Sequence, residues 1–112
     1  MNVRASFVNL CDFEASIEFV QTPGLPGKLP KGTSFVNGLN TLVFQDAAIV
    51  DPLPAEARIT IDFLIPKEEL NASFGILFWD GKQRVEVPSH KTSDGFISAT
   101  LDHSGTLILI KK

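Results

Sequence analysis

The sequence predicts an all-β fold in which two antiparallel β-sheets pack on each other as a sandwich of about seven to nine strands. Apolar and polar residues alternate with a period of two in several short segments, and turn dipeptides containing glycine separate these segments. No segment has the pattern of a helix long enough to cover a sheet, so we expect the sheets to cover each other. The 112 residues amount to one domain. We therefore expect a single sandwich domain over residues 1–112, with immunoglobulin-like, Greek-key connections; a barrel is the alternative.

The alternation is clearest in the second half of the chain. In the segment ARITIDFL (57–64), every second residue is apolar and the residues between are polar, which is typical of a strand with one buried face. Asp80-Gly81 and Ser104-Gly105 are turn dipeptides that separate two pairs of apolar runs. We therefore predict two hairpins, which pair residues 73–79 with 83–87 and residues 96–101 with 106–110.

The first half of the chain predicts shorter strands and two bends. The predicted strands are residues 2–8, 15–20, 33–38 and 41–44. Three prolines and three glycines fall within residues 21–32, so this segment cannot be a central strand and is expected to connect groups of strands. Residues 51–56 predict a second bend, and residues 66–72 a short helical turn with Pro66 as its first residue.

Composition and charge disfavour several classes of partner. The net charge is −3 with a pI near 5.2, and the sequence has no basic stripe. Nucleic acid and an anionic membrane surface are therefore poor partners. The longest apolar runs, such as LILI and AAIV, are far shorter than the roughly 20 residues that span a bilayer, so we expect no membrane insertion.

The second half of the chain resembles a β-sandwich module that is common near the C-termini of bacterial extracellular and cell-surface proteins. The entry LPKGTSFVNG, beginning at Leu29, also resembles the start of such modules. The other matching positions are Ile65-Pro66, Trp79-Asp80-Gly81, Val85–Pro88, Asp94-Gly95, His103, Gly105-Thr106 and Leu107–Ile110. The resemblance implies an extracellular or cell-surface location as part of a larger protein. The first fifteen residues do not resemble a signal peptide, and a cytoplasmic location is expected if Met1 is the native start.

A more distant resemblance is to ZU5-type domains, some of which cleave themselves within a His-Phe-Ser sequence. This chain reads His103-Ser104-Gly105, without the intervening residue, so we do not expect self-cleavage.

Few residues suggest catalysis or metal binding. Asp102, His103 and Ser104 are the residue types of a hydrolase triad, but adjacent residues cannot converge as a nucleophile and its base, so a turn is the preferred interpretation. His90 and His103 are the only histidines, and they lack the paired spacing of a zinc site. Calcium bound by loop oxygens is the more plausible metal chemistry, with three candidate ligands but no EF-hand loop. These candidates are Asp46, Asp51 and Asp80. Cys11 is the only cysteine, so the chain has no internal disulfide. We expect no enzyme activity, no cofactor and no resident metal.

Three functions remain open, and the first is preferred. The chain is expected to be a non-catalytic structural or interaction module that docks a protein partner or neighbouring domains of its parent chain through an outward patch. The predicted patch is Leu77, Trp79, Ile97 and Leu107. The alternative is a carbohydrate-binding module that stacks a polysaccharide on Trp79, aided by Lys82 and Arg84. The second alternative is a small self-associating β protein, a homodimer formed by strand pairing at free sheet edges and along TLILIKK (106–112).

Overall fold

The computed structural model describes residues 3–9, 13–22, 24, 28–50, 53–54, 56–79 and 81–112. Ten strands form two antiparallel sheets, which confirms the predicted all-β sandwich. The strands are β1 (Val3–Val8), β2 (Glu14–Val20), β3 (Ser34–Gln45), β4 (Ala48–Ile49), β5 (Arg58–Leu64), β6 (Phe74–Trp79), β7 (Arg84–Val87), β8 (His90–Lys91), β9 (Phe96–Leu101) and β10 (Gly105–Lys111). A 3-10 helix at Lys67–Glu69 follows Pro66, in agreement with the predicted helical turn. No helix among the described residues is long and apolar enough to cross a membrane.

The two sheets have different widths. The smaller sheet has four strands in the order β1-β5-β9-β8. The larger sheet has the order β2-β3-β10-β6-β7, and β4 pairs with the end of β3. Strands β1 and β2 are therefore edge strands on one side of the sandwich, and β8 and β7 are edge strands on the other.

The core lies between the two sheets and follows the predicted alternation. In β5, Ile59, Ile61 and Phe63 are fully buried, while the residues between them face outward. The larger sheet contributes Leu39, Val43, Ile76, Leu107 and Leu109 from its inner face. Burial of such side chains is the main favourable term in folding, at about 1.5–3 kcal/mol for each.

Strand β3 is a single element of 12 residues, where the sequence predicted two short strands, 33–38 and 41–44, of which the first ends at Gly38. A side chain would be crowded at this position, because a Cβ on Gly38 would lie 3.1 Å from Val20 Cβ and 3.2 Å from Ile108 Cγ2. The glycine thus allows β3 to lie closely between its neighbours, and it does not end the strand.

One predicted hairpin is confirmed and the other is wrong. Strands β6 and β7 pair as expected, with Phe78 opposite Val85. Strand β9 pairs with β5 and β8 in the smaller sheet, whereas β10 pairs with β3 and β6 in the larger sheet. The connection after β9 is therefore an arch between layers. Because β9 and β10 each bury an apolar face, a short loop allows them to face each other across the core as readily as to pair side by side.

Candidate functional site

The predicted outward patch is largely buried. Ile97 and Leu107 are 3% and 0% exposed and belong to the main core, so their predicted outward direction is wrong. Leu77 does lie on the outer face of the larger sheet, but it is also buried, in a small cluster with Ile108 and Ile110 that Leu29 and Phe35 cover. Leu77, Ile97 and Leu107 of the predicted patch therefore offer no surface for a partner.

The predicted outward direction of Leu107 in β10 and of Ile97 in β9 was wrong for a different physical reason in each strand. In β10, residues 107–110 are all buried because both faces of the strand are covered, so the sequence contains no polar alternation that marks the inner face. In β9, Ser98 and Thr100 share the face opposite Ile97, and this polar pair was the signal that Ile97 points inward.

Trp79 lies on the outer face of the larger sheet, as expected, and is half-buried. It stands opposite Arg84 in the β6–β7 hairpin, and partial burial of this arginine lowers the pKa of its guanidinium from the ordinary value. Thr106 and Asn40 continue the same face, and the Thr106 hydroxyl donates a 2.9 Å hydrogen bond to Asn40 Oδ1. Glu18 lies opposite Asn40 on the outermost strand. An aromatic ring thus stands at one end of a polar row that crosses the sheet.

The remaining sequence candidates are dispersed. Lys82 is exposed in the turn after β6. His103 Nε2 lies 3.3 Å from Asp102 Oδ1, and the His103 ring lies 6.2 Å from the Phe78 ring, which fits the predicted turn. Asp46 is exposed in the β3–β4 turn with a positive φ. Within the described part of the chain, no three His, Cys, Asp or Glu side chains converge on a possible metal position. Cys11, Asp51 and Asp80 lie outside the described residues.

The side of the sandwich formed by β1 and β2 is open. On the inner face of β2, Phe19 and Ile17 lie opposite Leu39 and Thr41 of β3. Phe19 and Ile17 are 53% and 46% exposed, although Leu39 is 1% exposed and Thr41 is fully buried. The smaller sheet therefore covers β3 but ends before β2, and the larger sheet projects beyond it by one strand.

An apolar groove of about 640 Å³ follows from this offset. The side chains that line it come mainly from the inner faces of β1 and β2. They are Val3, Ala5, Ile17, Phe19 and Leu39, and Arg4 and Ser6 of β1 also line the groove. Phe7 extends the inner face of β1 and is itself exposed. Clustered exposed apolar side chains of this kind mark interaction surfaces more often than single exposed residues do. We refer to this feature, between the edges of β1 and β2 with which no other described strand pairs, as the edge groove.

The edges on the two sides of the sandwich differ in protection. Strand β7 has four residues and is followed by Pro88, and β8 has two residues and ends with Lys91. Short edges, proline and lysine are features that prevent unwanted strand pairing. Strands β1 and β2 have six and seven residues and contain no proline, glycine or lysine. The edge-groove side is therefore the side where an added strand could pair.

Charges of opposite sign flank the edge groove on the outer faces of the two sheets. Arg4 lies on the outer face of β1, and Glu14 and Glu18 lie on the outer face of β2. Among the described residues neither glutamate has an ion-pair partner, whereas Arg4 lies within 3.1 Å of Asp62 and 3.0 Å of Asp94. A hydrogen bond from Thr92 and the nearby Arg4 guanidinium hold the pKa of Asp94 below its ordinary value.

Sequence reasoning predicted both strands of the edge groove but did not identify its exposed apolar residues, Phe7, Ile17 and Phe19. Their alternation shows that one face of each strand is apolar, but no pattern in the sequence indicates which strands lie at an edge. Comparison of the chain with models of protein families, with curated proteins and with solved structures gave no match.

Proposed function

We propose that this chain is a non-catalytic interaction module that docks an extended strand at the edge groove. The observation that carries the proposal is the exposure of Ile17 and Phe19 on the inner face of an edge strand. The resemblance of the second half of the chain to immunoglobulin-like modules of bacterial surface proteins supports a place within a larger extracellular protein. Interaction modules of this kind work by binding alone and need no reacting groups.

A strand is the occupant that fits this surface. A strand that pairs with the free edge of β1 extends the smaller sheet by one strand, which makes up the offset between the sheets. Alternate side chains of that strand then point into the edge groove and cover Ile17 and Phe19. Main-chain hydrogen bonds supply affinity in this mode of recognition, and the pocket for alternate side chains supplies specificity.

A displayed library of random ten-residue peptides tests the proposal. We expect the chain to select peptides in which every second residue is apolar, and to lose them when Ile17→Lys and Phe19→Lys are introduced together. The matched control carries Ile49→Lys and Leu70→Lys, two apolar residues of similar exposure elsewhere on the surface. Selection that the groove variant leaves unchanged, or failure of a monomeric sample of the chain to select any peptide, would refute docking at this edge.

A polysaccharide-binding module is the second candidate, and the polar row beside Trp79 favours it. An indole ring flanked by Arg84, Thr106 and Asn40 combines a stacking platform with hydrogen-bonding groups. Affinity electrophoresis in gels that contain soluble polysaccharides tests this function. Retardation that is lost in Trp79→Ala and retained in the control Phe19→Ala would support it. Equal mobility of all three proteins in every gel would reject it.

A further inference from the structure

We propose that the strand that fills the edge groove is β2 of a second copy of this chain, so that the protein is a two-fold symmetric dimer. In this dimer, β1 of each copy pairs with β2 of the other, which gives two identical strand pairings. The inference rests on the proposed function, because it names the partner of the same surface. The predicted pairing along residues 106–112 is not available for this role, since β10 lies inside the larger sheet between β3 and β6.

The offset between the two sheets is complementary to itself. A two-fold axis that runs midway between the sheets and parallel to the strands exchanges the two layers. It places the second copy's projecting β2 beside the first copy's β1, in the layer where the first copy is one strand short. The reverse placement occurs at the same time. Both copies thus complete each other without a gap or an overlap, as a closed two-fold interface requires.

Strand direction also fits. Strand β1 ends at Val8 and β2 begins at Glu14, so only five residues separate the two strands in the sequence. So short a connection favours a return of the chain, in which β1 and β2 run in opposite directions. Rotation about an axis parallel to the strands preserves direction, so β1 and the partner's β2 are antiparallel. Antiparallel pairing matches the pairing throughout both sheets.

The residues that line the edge groove favour one register. Val3 and Ala5 of β1 line it together with Phe19 and Ile17 of β2, so these residues lie at similar heights along the strands. The same rotation preserves height, which places Ala5 beside the partner's Ile17 and Val3 beside the partner's Phe19. The Ile17 and Phe19 side chains of the two copies then meet around the axis, where both become buried.

Charges agree with this register. Arg4 falls beside the partner's Glu18 on the outer face, and Val8 falls beside the partner's Glu14. Val8 pairs on its other side with Arg58, which brings a second arginine into the row of the partner's Glu14. Each copy therefore offers two arginines on one layer, of which Arg4 also contacts Asp62 and Asp94, and two glutamates on the other. The rotation brings the arginines beside the partner's glutamates. Cross-strand pairs of opposite charge stabilise a sheet, and like charges directly opposite destabilise it.

Sedimentation equilibrium of the full chain is the first test. We expect a dimer mass that dissociates on dilution, and dimerisation weakened about 100-fold or more by Ile17→Lys with Phe19→Lys, since two charges would enter an apolar interface. The control with Ile49→Lys and Leu70→Lys should dimerise as the parent does. A monomer at all concentrations up to about 1 mM would overturn the dimer. Selection of peptides by such a monomer would still support an interaction module, so the two proposals fail separately.

A charge exchange tests the register independently of the apolar residues. Arg4→Glu places two acidic groups side by side in the homodimer, and Glu18→Arg places two arginines there, so each variant alone should dimerise about tenfold more weakly or worse. A mixture of the two variants restores opposite charges at both pairings and should form heterodimers. Circular dichroism checks that each variant is folded. Folded variants that dimerise normally, or whose mixture yields no heterodimer, would overturn this register.

Discussion

Arg4 in the first strand donates a hydrogen bond of 3.0 Å from Nη1 to Oδ2 of Asp94, which lies 90 positions further along the chain. Nη2 of the same guanidinium lies 3.1 Å from Oδ2 of Asp62, and the guanidinium carbon lies 3.7 Å from the centre of the Phe96 ring. This one side chain joins β1 to β5 and to the turn that precedes β9, on the outer face of the smaller sheet. It therefore holds in place the strand that forms one edge of the groove.

Replacing Arg4 with methionine is expected to lower the free energy of unfolding by about 1 kcal/mol. Exposed ion pairs contribute about 0–1 kcal/mol, and a cation over an aromatic ring at an exposed site contributes about 0.5–1 kcal/mol. Urea denaturation measures the change. The control is Arg58→Met on the neighbouring strand, whose guanidinium, among the described residues, bonds to the carbonyl of the preceding residue, Ala57, at 2.6 Å and to no carboxylate. A loss of stability for Arg4→Met no larger than that for Arg58→Met would show that the Arg4 contacts do not hold β1 in place.

Acid should remove part of the stability that Asp94 provides. Its pKa is lowered in the folded state, first by the hydrogen bond from Thr92 and then by Arg4, so the folded protein binds the proton less readily than the unfolded chain does. The stabilisation is complete above the ordinary aspartate pKa of about 3.9 and disappears as the pH falls through the lowered value. We expect Asp94→Asn to be less stable than the parent near neutral pH, and the difference to close in acid.

The contribution of the Thr92 hydroxyl to this shift can be measured separately. NMR titration of the Asp94 carboxyl in Thr92→Val should give a pKa that is higher than in the parent, because the leading stabilising contact of the carboxylate is gone. An unchanged pKa in this variant would assign the shift to Arg4 instead.

Truncation of Leu107 tests its position in the core, which differs from the predicted outward position. Leu107→Ala should cost about 2–5 kcal/mol, because it leaves a cavity between the sheets. Leu64→Ala removes the same atoms from a side chain that is 37% exposed and should cost clearly less, about 1 kcal/mol or below. Thermal or urea unfolding of the two variants gives the comparison, and similar losses would show that Leu107 is not in the core.

The period-two pattern was sufficient to predict the layers of the fold and most of its strands. Alternation in residues 57–64 marks a buried face in any sheet arrangement, and the β6–β7 hairpin is signalled by its own turn. Such signals are local, and they identify a strand and its dry face. Pairing between distant strands, as between β3 and β10, depends on which packing buries the most surface, and residue spacing does not encode it.

The edge groove illustrates the same limit. Ile17 alternates with Ser16 and Glu18, which is typical of a strand with a buried face, yet Ile17 is half exposed because no strand of the smaller sheet lies over it. Ile17 is exposed because the larger sheet extends one strand beyond the smaller sheet on this side. A groove that arises from an offset between layers therefore requires the assembled structure, whereas the inward direction of Ile97 could have been inferred from Ser98 and Thr100 alone.

Gly105, in the arch between β9 and β10, should tolerate alanine less well than Gly81 in the β6–β7 turn does. The backbone of Gly105 has a φ of 149°, which residues other than glycine rarely adopt. A Cβ at this position would lie 2.9 Å from Phe78 Cε1. We expect Gly105→Ala to lower the free energy of unfolding by about 2–4 kcal/mol, from backbone strain and overpacking together.

Gly81→Ala is the matched control, because Gly81 also has a positive φ but no neighbouring atom within 4 Å. It should lose about 1–2 kcal/mol. Adding Phe78→Leu removes the clashing end of the ring, so the loss caused by Gly105→Ala should be smaller in that background. Equal losses at both glycines, with no coupling to Phe78, would mean that strain alone governs this position.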